Sequence, residues 1–290
     1  MKEIVIISGK GGTGKTSVAA ALASVAQNIV IADCDVDAAD MHLILKPKIK
    51  HTDNFYSGVK AKIETHLCVS CGECERICRF NAIIHTSGTY TVNPLDCEGC
   101  GYCYNICPAG AINLVEQLVG QYFLSDTKLG SKLAHAQLGI GADNSGKLVA
   151  TVKKEAKISA VRNQIDYILV DGSPGIGCPV ISSLSGADFV LLVTEPTRSG
   201  LCDLQRVWEL TTTFKIPAGC IINKKDINLL ISEEITQYLQ KNGIYLVCSL
   251  PYDNDFSQAI TTGQSLVEYN PSKWKQLFVN IWKTITKELI

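Results

Sequence analysis

The chain predicts an α/β fold, a doubly wound and mostly parallel sheet interrupted by a small cysteine-rich module. Three observations carry this. A short apolar run, Ile4 to Ile7, leads straight into a glycine-rich loop and then an alanine-rich helical stretch. Strand-like and helix-like segments alternate through most of the remaining chain, as a parallel sheet with crossover helices requires. Between the second and third of the strand signals the alternation breaks, and eight of the chain's 13 cysteines fall within forty positions of one another, from Cys68 to Cys107.

Composition permits this plan. With 290 residues, 46% of them apolar, the chain can bury one large core and a small module besides. A net charge of −1 without charge runs gives no electrostatic footprint for nucleic acid, so no nucleic-acid partner is expected. The four-residue apolar run near the start is too short for a signal sequence or a membrane span, and the expected location is cytoplasmic.

In order, Ile4 to Ile7 reads as a buried strand, and Gly9-Lys10-Gly11-Gly12-Thr13-Gly14-Lys15-Thr16 as a loop whose backbone N–H groups turn inward around phosphates. Ser17 then opens a helix to about Ala26, whose N-terminal dipole adds to the anion site. Lys15 is placed to reach the β- and γ-phosphates of ATP, and the Thr16 hydroxyl to bind Mg2+. Ile29 to Ala32 is the second strand, followed by Asp33-Cys34-Asp35-Val36-Asp37 and a short helix to Leu45. Ile165 to Val170 is the next core strand, ending in Asp171-Gly172-Ser173-Pro174-Gly175. Strands at 189–194, 219–222 and 244–249 alternate with helices near 202–212 and 232–241.

The cysteines form two copies of C-x2-C-x2-C-x3-C, the second followed by Pro108 and the first by Arg79. This is the bacterial two-cluster ferredoxin spacing, in which the fourth cysteine of each run serves the other cluster. It assigns Cys68, Cys71, Cys74 and Cys107 to one 4Fe-4S cluster, and Cys97, Cys100, Cys103 and Cys78 to the second. A zinc site or a disulfide framework is the alternative, but zinc rarely uses three evenly spaced cysteines before a fourth. The resemblance to ferredoxins runs from about Thr65 to Leu114 and implies an α+β module. Residues 1–62 and 116–290 are then the two parts of the nucleotide domain, and 63–115 the insertion. The other five cysteines, Cys34, Cys178, Cys202, Cys220 and Cys248, read mostly as small core residues.

Lys10, the second lysine of the loop, makes the chain resemble the deviant Walker A group, the MinD, ParA, Mrp and nitrogenase iron protein family, and in particular its members with an inserted ferredoxin domain. The resemblance implies an ATP-sandwiched dimer, with itself or with a related ATPase chain, in which Lys10 reaches the partner's nucleotide. It also implies that Asp35 orients the attacking water, that Asp33 lies near the magnesium shell, and that Asp171 holds magnesium, the aspartates through water. By the same resemblance Gly175 offers its N–H to the γ-phosphate, Asn223 reads adenine, and Pro251 and Asp253 close the other side of the base. Cys178 stands where the nitrogenase iron protein has a cluster-bridging cysteine. No second cysteine of that pair is evident, and a thiol near a helix N-terminus is the preferred reading.

Two segments are less specific. Residues 116–152 match neither module, and Asn144-Ser145-Gly146 reads as a hairpin turn between two short strands, with His135 or Lys147 as residues that could instead face a partner or a γ-phosphate. The last helix, from about Ser272 to Ile290, aligns Trp274, Leu277, Phe278, Ile281, Trp282, Ile285 and Leu289 on one face. A closing helix packed on the sheet is the favoured reading, and a MinD-like membrane anchor the alternative. The expected function is an ATPase that couples nucleotide state to electron transfer from the clusters to a redox partner protein. A spatial organiser or redox-sensing switch, and a cluster assembly or transfer factor, are the rivals.

Overall fold

The computed structural model describes residues 1–139 and 145–288. They divide into two compact units, one comprising residues 1–53, 121–139 and 145–288, the other including residues 54–120.

The chain opens with β1 (Lys2–Ile7), α1 (Lys15–Val25), β2 (Ile29–Asp33) and α2 (Met41–Leu45). Two long strands, β3 (Lys48–Ile63) and β6 (Ile112–Asp126), carry it out of and back into the first unit. Between them lie α3 (Glu73–Ile77), the hairpin β4 (Ile83–Thr86) and β5 (Thr89–Val92), and α4 (Tyr102–Ile106). The first unit resumes with β7 (Lys132–Leu138), α5 (Ser145–Arg162), β8 (Tyr167–Asp171), α6 (Cys178–Leu184), β9 (Phe189–Thr194), α7 (Arg198–Thr213) and β10 (Ala218–Ile222). It ends with α8 (Leu229–Lys241), β11 (Tyr245–Ser249), α9 (Asp255–Thr261), α10 (Leu266–Tyr269) and α11 (Pro271–Glu288).

The large sheet has the order β11-β10-β9-β1-β8-β2-β7-β6-β3. Pairing is parallel from β11 to β7, with Ile6 opposite Asp171 and Asp171 opposite Asp33. The strand that feeds the glycine loop and the two strands that end in aspartates thus finish side by side, in the crevice where open α/β sheets bind ligands. Ile4 to Ile7 are wholly buried because helices cover both sheet faces, which explains a strand read as a continuous apolar run. The alanines of α1 allow α10 and α11 to approach closely, and Trp274, Phe278, Ile281 and Ile285 pack into the same core. The apolar face of α11 is therefore spent inside the protein, as a closing helix; Leu289 lies outside the described residues. Among the described residues no helix is long and apolar enough to cross a membrane.

The structure corrects several expectations. The hairpin is earlier than expected: β6 and β7 are joined by a turn at 127–131, where the Thr127 N–H donates to the Ser131 carbonyl at 2.9 Å. Asp143 and Asn144 lie outside the described residues, but Ser145 begins an 18-residue helix that buries Leu148, Val149, Val152, Ala156 and Ala160. Its helical period was masked by the turn chemistry preceding it. His135 faces the sheet interior, 3.0 Å from the Ser125 hydroxyl, rather than a partner. Cys202 is exposed, not a core residue. Helices α7 and α8 start earlier than their apolar patterns, because Thr197 accepts from the Gly200 N–H and Asn228 from the Ile231 N–H as N-caps.

Candidate nucleotide and iron–sulfur centres

At the carboxyl ends of β1, β2 and β8 a single lysine meets two carboxylates, with a third beside them. Lys15 Nζ lies 2.7 Å from Asp171 Oδ1 and 3.3 Å from Asp35 Oδ2, and 3.4 Å from the hydroxyl of Thr16. Asp33 Oδ1 accepts the Asp35 N–H at 3.3 Å. Burial by itself would depress the Lys15 ammonium, but Asp171 and Asp35 more than offset it and its pKa is raised. Burial, reinforced by Asp171, pushes the Asp33 carboxyl well above the usual range, and burial also raises Asp35. A cation beside these carboxylates offsets the cost of burying their charge, as Lys15 does in part.

The same site leaves three buried polar atoms without a hydrogen-bond partner: Thr13 Oγ1, Asp33 Oδ2 and Asp171 Oδ2. Buried orphans of this kind are costly unless a ligand satisfies them. Their position around the loop fits Mg2+ and phosphate. The segments that follow β2 and β8 are joined, since the Ser173 hydroxyl donates to the Cys34 carbonyl at 2.7 Å and the Cys34 N–H to the Asp171 carbonyl at 2.8 Å. The Gly175 N–H donates to the Ser8 carbonyl at 2.8 Å, so its expected approach to a γ-phosphate requires that bond to open. Gly9, Gly11 and Gly12 form the front of the loop; Ser17 is buried in the first turn of α1.

The residues expected beside a base are engaged within the chain. Asn223 Nδ2 donates to the Thr13 carbonyl at 2.9 Å and its Oδ1 accepts the Lys224 N–H at 2.9 Å. Gly14 is obligatory here: φ is +90°, and a Cβ would stand 2.4 Å from Asn223 Nδ2. Asp253 pairs with Lys273 and accepts the Asp255 N–H at 2.9 Å, beside the half-buried Pro251. Sequence reasoning missed Glu195, whose carboxylate sits between Lys10 and Lys224 at 2.7 Å from each. No local motif marks it; only its place at the end of β9 could have suggested it.

In the second unit a constant offset relates Cys68 to Cys97, Cys78 to Cys107 and Ala82 to Ala111. The backbone obeys the same internal repeat. The Ala82 N–H donates to Cys78 Sγ at 3.4 Å and the Ala111 N–H to Cys107 Sγ at 3.3 Å. Reciprocally, the Glu64 N–H donates to the Ala111 carbonyl and the Asn93 N–H to the Ala82 carbonyl, both at 2.7 Å. Two cavities result. One is lined by Cys97, Cys100, Cys103 and Cys78, the other by Cys68, Cys71, Cys74 and Cys107. Their remaining walls are largely apolar, and burial raises the Cys74 and Cys103 thiols. Among the described residues no three cysteine, histidine or acidic side chains converge closely enough to hold a single metal ion. Thiols spread around the walls of an apolar cavity fit a multinuclear iron–sulfur group better than zinc. Cys178 lies exposed at the start of α6, remote in sequence from both sets.

Sheet order, glycine loop and paired aspartates define a P-loop nucleotide-binding protein of the MinD-like type. The chain belongs to the CobQ/CobB/MinD/ParA nucleotide binding domain family, which matches residues 4–267. An uncharacterised protein of Methanocaldococcus jannaschii is 35% identical over 229 residues, 78% of this chain and 79% of that protein. The septum site-determining protein MinD of Pyrococcus horikoshii, solved with Mg-ADP, superposes with a TM-score of 0.58 at 19% identity, covering 98% and 95% of the two chains. Ferredoxin-1 of Rhodobacter capsulatus is 46% identical over 39 residues, 13% of this chain and 60% of the ferredoxin.

Proposed function

We propose that this chain is an ATP-hydrolysing iron–sulfur protein in which nucleotide-dependent dimerisation and switch movement are coupled to electron transfer to a partner protein. The observation that carries the reading is the coexistence, in one chain, of the Lys15–Asp171–Asp35 cradle with two cavities that sort the eight cysteines into the crossed sets of a two-cluster ferredoxin.

In this reading the N–H groups of Gly11 to Thr16 surround the phosphates of ATP, and Lys15 turns from Asp171 toward them. Thr16, Asp33 and Asp171, the aspartates through water, would hold Mg2+, which when bound would offset charge on the phosphates. Asp35, freed from Lys15, orients the attacking water, and Lys10 crosses to the nucleotide of a second copy or of a related chain. Asn223, Pro251 and Asp253 flank the base. Two 4Fe-4S clusters, when bound, supply one-electron storage whose potential depends on hydrogen bonds to sulfur and on exposure. The chain's part is to supply hydrogen bonds to sulfur, since the Ala82 and Ala111 N–H groups donate to Cys78 and Cys107, and the strand β3 that leads into this unit begins shortly after α2 and the Asp33–Asp37 segment in sequence.

An anaerobic redox titration followed by electron paramagnetic resonance tests the coupling, without nucleotide, with Mg-ADP and with a non-hydrolysable Mg-ATP analogue. A shift of about 59 mV corresponds to a tenfold change in equilibrium for a one-electron couple, and linkage then requires nucleotide affinity to depend on cluster oxidation state. A shift of that order is the expected result. Identical potentials in all three states would eliminate thermodynamic coupling.

A further inference from the structure

Glu195, at the end of β9, joins two lysines that both belong to the mouth of the phosphate loop. Its Oε1 lies 2.7 Å from Lys10 Nζ and its Oε2 2.7 Å from Lys224 Nζ. This is a built arrangement rather than a solvated contact, because the Glu195 side chain is only 11% exposed. Lys10 Nζ also donates to Thr197 Oγ1 at 3.2 Å and to Ser199 Oγ at 2.9 Å. An ammonium has three N–H donors. All three of Lys10's are thus spent inside its own chain, on the β9–α7 connection, whose Thr197 is simultaneously the cap of α7, and on Ser199 in the first turn of α7. Lys224 Nζ completes the clasp from the other side by donating to the Gly12 carbonyl at 3.1 Å.

Lys10 cannot hold these three acceptors and a phosphate oxygen of another chain at once. We infer that Glu195 is a positioning residue that parks Lys10 in its own chain and, with Lys224 as second arm, releases it when a partner's phosphate competes for the ammonium. The inference rests on the dimer reading proposed above. Lys224 is what makes release affordable: with Lys10 gone, the largely buried carboxylate keeps one cation and is not left as an uncompensated charge. The two arms therefore act in opposite directions. Loss of the Glu195 charge frees Lys10, whereas loss of Lys224 leaves Lys10 as the only cation on Glu195 and holds it harder. The clasp sets the nucleotide concentration at which two chains come together.

The test uses anaerobically prepared holoprotein free of nucleotide. Limiting acetic anhydride is applied and lysine acetylation is read by mass spectrometry, with Lys275 on the outer face of α11 as the internal reference. Glu195→Gln should acetylate Lys10 roughly three- to tenfold faster than wild type, the range set by a charge-assisted bond discounted for partial exposure, with Lys275 unchanged. Glu195→Asp, which keeps the charge, should restore part of the protection. Equal Lys10 rates in wild type and Glu195→Gln would overturn the parking role whatever the oligomeric state. Light scattering against a non-hydrolysable ATP analogue then reads release. The midpoint for dimer formation should fall in Glu195→Gln and rise in Lys224→Met, and shifts of the same sign, or none, would overturn the clasp as a control on dimerisation. A wild-type chain that stays monomeric at saturating analogue would refute the dimer reading and release with it, while the acetylation rates still decide whether Glu195 holds Lys10.

Discussion

Replacing Gly99 by serine should empty one cysteine cavity and spare the other. Gly99 lies between Cys97 and Cys100 at φ +64°, and a Cβ there would stand 1.9 Å from the Val59 carbonyl oxygen and 3.0 Å from its carbon. Ser70 holds the matching place between Cys68 and Cys71 at φ 54°, and its hydroxyl donates to the Gly88 carbonyl at 3.0 Å. The left-handed backbone is thus tolerated with a side chain in one loop. What differs in the other is the close approach of β3. The left-handed conformation costs a non-glycine residue about 1–2 kcal/mol. Relieving an overlap of more than an ångström by moving the loop or β3 adds the cost of overpacking, about 1–3 kcal/mol. Together these put about 2–5 kcal/mol on a single loop, enough to disfavour its closing around a cluster while the other remains formed. The assay is iron and acid-labile sulfide per chain, with electron paramagnetic resonance of the reduced protein. Gly99→Ser should lose about half of its iron, and Ser70→Gly should keep all of it. A Gly99→Ser protein with a full complement of iron and unchanged thermal stability would refute the argument.

Three further outcomes are expected. Asp35→Asn should still bind nucleotide and iron but release no phosphate, measured by fluorescent nucleotide binding beside a phosphate assay; hydrolysis at the wild-type rate would remove Asp35 from the reaction. Burial, with a smaller contribution from His42, lowers the His135 imidazole to about 4. Because this lies below the unfolded value of about 6.5, the folded state is disfavoured as pH falls: full stability is present above about pH 6.5, and by pH 5 about 2 kcal/mol is lost. Anaerobic urea unfolding at pH 7 and pH 5 should show that loss in wild type and not in His135→Gln. Trp274→Ala should cost the nucleotide unit about 3–5 kcal/mol, because it empties a core site of α11 and strips Asp255 of the 2.8 Å bond from Trp274 Nε1. Liposome flotation of the wild type with ATP gives the companion result, and strong binding would mean that α11 leaves the core.

What the sequence determined by itself was local. The glycine loop, the apolar strand before it and the helix after it are neighbours in the chain, so spacing alone revealed the strand–loop–helix unit at whose helix start Lys15 stands. The cysteine spacing likewise anticipated which four thiols line each cavity, because three come from one loop and the fourth from the repeat related to it by a constant offset. The strand–helix alternation gave the parallel sheet for the same reason.

What only the tertiary structure decided depends on residues far apart in the chain. Asp33 stands beside Asp171 because β2 pairs in register with β8, and no local pattern contains that register. Asn223 is drawn against Thr13 by the closeness of β10's end to the phosphate loop, which also dictates glycine at position 14. Helix α5 was hidden because the turn-like residues ahead of it outweighed, over a short window, an apolar period that becomes clear only across its full length. Glu195 was invisible for a simpler reason: a lone acidic residue after a strand is ordinary in sequence, and it acquires meaning only where folding brings Lys10 and Lys224 to its two oxygens.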